Sequence, residues 1–116
     1  MTMSEVLAAV NELNPNAFEE ETKGKIVCAL ESRLLHRFTG EEKAFTYPED
    51  MNTELYLPER YAEVYILYLS AMLYFWNKEY EEYNNHVSLY NAMLDEYERE
   101  YASTKVTERK RFFNLY

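Results

Sequence analysis

Apolar and polar positions recur with a helical period through most of the chain. Val6, Leu7, Val10 and Leu13 share one face and predict a short first helix ending near Leu13. Thr2 and Glu5 have the spacing of a capping box, Thr2 as the cap and Glu5 reaching back. Pro15, in Asn14-Pro15-Asn16, cannot continue that helix and disfavours α geometry at Asn14, so a turn follows. The acids Glu19, Glu20 and Glu21 suit the start of a second helix. Its stripe is Ile26, Val27, Leu30, Leu34, Leu35 and Phe38, with Arg33 and Arg37 near its end and Gly40 as the stop. Helix two is predicted over Glu19–Phe38. Gly24 either weakens it by about 1 kcal/mol relative to Ala or permits the close approach of another helix.

Residues 40–57 form a long connection, with Pro48 and several polar turn residues. Ala44–Tyr47 has a weak edge-strand pattern, and connections this long are commonly functional. Pro58 and Glu59 open a third helix. Tyr61, Tyr65, Tyr68, Met72 and Phe75 alternate at spacings of four and three, while Ile66, Leu69 and Leu73 widen the face. A helix apolar nearly all round belongs at the centre of the fold. Trp76, Tyr80, Tyr83, Val87, Tyr90, Leu94, Tyr97 and Tyr101 then form a heptad seam. The two stripes do not join, because the count breaks between Phe75 and Trp76. A tight turn at Asn77-Lys78, with Asn77 tolerant of left-handed geometry, makes the pair an antiparallel hairpin. One continuous helix is the alternative. The predicted fold is therefore all-α: a short N-terminal helix, a second helix, a long antiparallel helical hairpin and a flexible C-terminal tail. Residues 1–102 form one domain and 103–116 the tail.

The stripe of this hairpin is full of tyrosine, and a buried tyrosine hydroxyl needs a partner. A small dry core is expected to satisfy only some of them, so the rest must reach water or a neighbouring subunit, as interface tyrosines do. The alternative is a thin two-helix core with hydroxyls at its rim. The candidate core and subunit-interface residues are Tyr61, Tyr65, Tyr68, Met72, Trp76, Tyr80, Tyr83, Tyr90, Leu94 and Tyr97. Asn84, Asn85 and Asn91 flank the seam, either as ordinary polar neighbours or as amides that fix its register.

Charge sharpens the division between body and tail. Residues 1–101 carry 8 basic and 20 acidic side chains, whereas residues 102–116 carry 4 and 1. The net charge of −9 argues against gripping nucleic-acid phosphates. Lys105, Arg109, Lys110 and Arg111, with Phe112, Phe113 and Tyr116, make the tail a candidate docking segment. One cysteine, Cys28, allows no intrachain disulfide and reads as a small core residue. No signal-peptide pattern or membrane-length apolar run is present. His36 and His86 lack a metal-spaced partner. No phosphate loop, nucleophile elbow, CxxC or HExxH occurs. The runs Glu19–Glu21 and Glu81-Glu82 read as solvated helix faces. No catalytic residue, metal or cofactor is expected.

Three pieces of the chain carry a family resemblance: SEVLAAVNELNPNAFEEETKGKIVCALESRL, LPERYAEVYILYLSAMLYFWNKEYEEYNN and YNNHVSLYNAMLDEYEREY. Together, over about Ser4–Tyr101, they resemble the small α-helical head–tail connector (adaptor) proteins of tailed bacteriophages and prophages. The features are the short helix with its Pro-Asn turn, an LP-x-x-Y helix with a small residue at Ala71, an Asn-x-Glu turn and a Tyr-Asn repeat. The sequence departs from the pattern at Lys78, where a glycine is expected in the turn. The resemblance implies a virion structural protein forming a ring below the portal protein, which extends the DNA channel and docks the tail. It implies a place in the virion neck, assembled in the bacterial host cytoplasm, and contact with portal and tail or head-completion proteins. The resemblance is also compatible with a subunit that is monomeric when free. The acidic body would let DNA pass without specific binding, and no membrane is involved. A non-catalytic helical module dimerising through the tyrosine seam is the competing expectation.

Overall fold

The computed structural model describes residues 1–114, with side chains described through residue 105. Four α-helices follow in chain order: α1 (Met3–Leu13), α2 (Glu20–Thr39), α3 (Glu63–Trp76) and α4 (Tyr80–Asn114). A single 3₁₀ turn, Glu59–Tyr61, leads into α3 after Pro58. Thr2 caps α1 as expected: its hydroxyl accepts from the Glu5 amide, and the Glu5 carboxylate accepts from the Thr2 amide. The Thr2 amide and the Thr2 hydroxyl both donate to the Glu5 carboxylate, and these bonds hold it below its usual range. Met3, Val6, Leu7 and Val10 are buried, whereas Leu13, assigned to the same stripe, is exposed at the helix end. Gly40 closes α2 in the left-handed region at φ 75°.

Helix α3 is the central element, in contact with α1, α2 and α4. Val64, Tyr65, Leu69, Ala71 and Leu73 are almost wholly buried, as a helix apolar on several sides requires. Helices α3 and α4 form the predicted antiparallel hairpin, and the continuous-helix alternative is excluded. The left-handed residue in the turn is Lys78, at φ 62°, and not Asn77. The Lys78 amide donates to the Phe75 carbonyl and the Glu79 amide to the Tyr74 carbonyl, at 3.1 and 2.9 Å. This pair of bonds is a Schellman motif. Asn77 instead supplies its side chain, donating to Glu79 at 2.8 Å. Lysine thus adopts the backbone shape for which a glycine was expected.

The connection from residue 41 to residue 57 is built into the core, although it forms no strand over Ala44–Tyr47. Leu55 and Leu57 are buried, and an isolated antiparallel bridge joins Thr2 to Glu54. The Ser4 amide donates to the Met51 carbonyl at 2.9 Å. Gly24 is explained by this connection and not by a neighbouring helix. The Tyr47 ring lies over it, so a Cβ there would sit 2.2 Å from Tyr47 Cδ2. Ser103, Thr104 and Lys105, the first residues of the predicted tail, continue α4.

Candidate interaction surface

Among the described residues, six of the twelve tyrosine hydroxyls are hydrogen-bonded within the chain. Tyr65, fully buried, donates to Glu31 Oε1 at 2.7 Å and accepts from the Leu57 amide at 3.1 Å. Tyr61 donates to Glu100 at 2.7 Å, and Arg60 pairs with the other oxygen of the same carboxylate. Together, Tyr61 first, they hold the Glu100 carboxyl below its usual range. Arg33 donates to the Tyr68 hydroxyl at 2.6 Å, Tyr97 donates to Tyr56 at 2.6 Å, and Tyr101 donates to the Phe38 carbonyl. The rings of Phe38, Tyr56, Tyr61, Tyr97 and Tyr101 pack mostly edge to face, joining α2, the connection and α4. These rings therefore do not need a second subunit. Desolvation raises the Tyr65 and Tyr97 hydroxyls far above the ordinary tyrosine value, so they stay protonated as donors.

The predicted set consequently divides in two. Tyr61, Tyr65, Leu94 and Tyr97 are buried in the base of the hairpin, with Tyr68, Met72 and Tyr90 packed partly beneath the surface. Tyr83 is half-buried near the turn, and Trp76 and Tyr80 are 46% and 54% exposed. Phe75 and Leu89 join them as exposed large apolar residues. The heptad seam is continuous in sequence, but its burial falls from Leu94 and Tyr97 to Trp76 and Tyr80 toward the turn. Phe75 meets Tyr80 and Tyr83 at ring-centroid distances of 5.8 and 5.1 Å, forming an aromatic cluster at that end. Asn84, Asn85 and Asn91 are exposed and, among the described residues, make no hydrogen bond across to α3. They are ordinary flank.

A groove of about 340 Å³ adjoins the cluster, lined by Asn14, Pro15, Asn16, Ala17, Phe18, Leu73, Asn77 and Glu79. Its wall is the turn between α1 and α2. Asn16 shapes that turn: its amide donates to the Asn14 carbonyl and its oxygen accepts from the Phe18 amide. Lys23, a buried charge on the apolar side of α2, donates to Asn11 at 2.5 Å and Asn16 at 3.2 Å and fixes the same turn from below. Phe18 reaches across to Trp76, with ring centroids 5.9 Å apart. Of the predicted docking tail, Lys105 lies over the Tyr101 ring at 5.5 Å. The side chains of Arg109, Lys110, Arg111, Phe112, Phe113 and Tyr116 lie outside the described residues.

Sequence reading passed over Glu31, Lys23 and Phe18. A signal for the first two exists, since Lys23, Val27, Leu30, Glu31, Leu34 and Phe38 all lie on the buried face of α2. A charge inside an apolar stripe marks a buried, partnered group. Phe18 sits in a loop, where no periodicity could mark it. Cys28 is buried against Met3, with the sulfurs 3.6 Å apart, and burial pushes its thiol up. His36 is exposed, and the His86 ring packs at a tilt against Tyr74, with centroids 4.9 Å apart.

Among the described residues, no group of three or more His, Cys, Asp or Glu could hold a metal ion. No helix among them is long and apolar enough to cross a membrane. No known protein family, curated protein or solved structure matches the chain.

Proposed function

We propose that the chain is a virion structural protein of a tailed phage or prophage. In this reading it is a head–tail connector subunit that forms a ring below the portal, extends the DNA channel and gives the tail a docking place. The observation that carries this reading is the exposed aromatic end of a hairpin whose base, around Tyr65, Leu94 and Tyr97, is packed into the core. Phe75, Trp76 and Tyr80 are large apolar side chains exposed at the turn, with Phe75 packed on Tyr80 and Tyr83. Such a cluster is a surface for another protein. The helix order, with its Pro-Asn turn and antiparallel hairpin, is the one that the connector resemblance implies. An acidic body beside a channel repels DNA and lets it slide. The function is assembly, with no catalytic step and no cofactor, in contact with portal and tail or head-completion proteins in the neck.

The test is deletion of the coding sequence from a producing phage or prophage, with particles followed by electron microscopy. DNA-filled heads and separate tails that fail to join are the expected outcome. Joined, infectious particles would overturn the reading. A dimerising helical module is the second reading, favoured by the exposed part of the seam at Trp76, Tyr80 and Tyr83. Native mass spectrometry across a wide concentration range separates them: a closed ring supports the connector, and a fixed dimer supports the module.

A further inference from the structure

The turn end of the hairpin and the C-terminal segment have complementary chemistry. Around the aromatic cluster, Glu19, Glu20 and Glu21 at the start of α2 and Glu79, Glu81 and Glu82 at the start of α4 are all exposed. Lys78 is exposed in the turn, and Lys25 is paired with Glu21 at 3.1 Å. The segment after Tyr101 has the opposite sign, with 4 basic residues against 1 acidic, followed by aromatic ones. We propose that the C-terminal segment 105–116 of one copy docks on the turn end of a second copy, basic side chains against its carboxylates and aromatic rings on Trp76, Tyr80 and the Phe18 groove.

Three observations choose this occupant. The first is charge complementarity between an acidic surface and a basic segment. The second is the half-exposed Trp76 and Tyr80 rings, whose faces accept arginine guanidinium groups. The third is reach. Helix α4 begins at the turn, and Lys105 lies 25 positions after Tyr80, about 38 Å away at 1.5 Å per residue. The helix continues beyond Lys105 to Asn114, so a chain cannot bring its own segment back to its own turn. The partner must be another copy. The contact joins two different surfaces, so repetition produces a closed ring or an open fibre. It does not depend on the connector reading, because any self-assembling use of the chain can employ it.

Trp76 is the single tryptophan and reports the event directly. A synthetic peptide of residues 103–116 is titrated into the full-length chain carrying Arg109→Glu, Lys110→Glu and Arg111→Glu, and Trp76 emission is followed. A saturable blue shift is expected, weakened at least about tenfold between about 50 and about 500 mM salt by screening. Tyr80→Lys, or Glu81→Lys with Glu82→Lys, added to the same full-length chain should abolish it, with circular dichroism verifying the fold. Mixing the reversed-tail chain with a Tyr80→Lys chain leaves one intact tail and one intact turn end. Native mass spectrometry should then show a 1:1 complex where each variant alone is monomeric. No emission change, or binding that survives both sets of turn-end substitutions, would overturn the proposal. So would a mixture that remains monomeric.

Discussion

Glu31 is the residue whose removal should hurt most for its size. It is 1% exposed, on α2, and holds two elements that are distant in sequence. Its Oε2 accepts from the Tyr56 amide at 2.6 Å and its Oε1 from the Tyr65 hydroxyl at 2.7 Å. Tyr65 in turn accepts from the Leu57 amide. Glu31→Ala leaves the Tyr56 amide and the Tyr65 hydroxyl buried without acceptors. Each orphaned donor costs about 1–3 kcal/mol, and with the lost side-chain volume the total is about 3–5 kcal/mol. Glu31→Gln keeps the shape and one acceptor oxygen but puts an N–H₂ where an acceptor stood, at a cost of about 1–2 kcal/mol. Urea unfolding followed by far-ultraviolet circular dichroism measures both. The pH dependence gives a second, independent check. Burial pushes the Glu31 carboxyl above its ordinary value of 4.5, against the opposing bonds from Tyr65 and Tyr56. Between the ordinary and the raised value the folded state holds a proton that the unfolded state has released. Stability contributed by this group is fully present below the ordinary value and declines as pH rises through the raised one. Glu31→Gln should remove that component of the slope just above pH 4.5. A Glu31→Ala cost below about 1 kcal/mol, or identical pH slopes for wild type and Glu31→Gln, would refute the reasoning.

Gly24→Ala should destabilise by about 1–2 kcal/mol by driving the Tyr47 ring off α2. In a Tyr47→Ala background the same change should become stabilising by up to about 1 kcal/mol, as a double-mutant cycle in urea would show. Lys78→Gly should raise stability by about 0.5–1 kcal/mol by relieving a left-handed conformation, and Lys78→Val should lower it; thermal melts are sufficient. Leu94→Lys places a charge in the packed base and should cost at least about 3 kcal/mol, unfolding the chain. A folded monomer after Tyr90→Lys with Leu94→Lys would instead mean that the seam joins subunits.

Helix positions were legible because each stripe has a strong period and an explicit stop. Thr2 with Glu5, Gly40, and the break between Phe75 and Trp76 set boundaries that the structure reproduces to within a few residues. The connection was less legible, because Leu55 and Leu57 are buried by tertiary contact and carry no local period. The site was half legible. The seam positions were identifiable, but a one-dimensional pattern does not contain which positions of a seam the rest of the fold covers: Leu94 is buried, whereas Tyr80, two heptads earlier, is exposed. Tyrosine count did not show which hydroxyls are answered inside the chain, by Glu31, Glu100, Tyr56 and the Phe38 carbonyl.

The grading of burial along α4 separates two selective pressures. Near Leu94 and Tyr97 a substitution is felt by the whole folding unit, whereas near Tyr80 it meets little but solvent and one facing helix. Amide exchange should follow the same gradient, fastest in the first turns of α4 and slowest around Leu94. Under the proposed assembly, a lineage can rewrite the aromatic end to match a changing partner while the packed base stays under separate constraint.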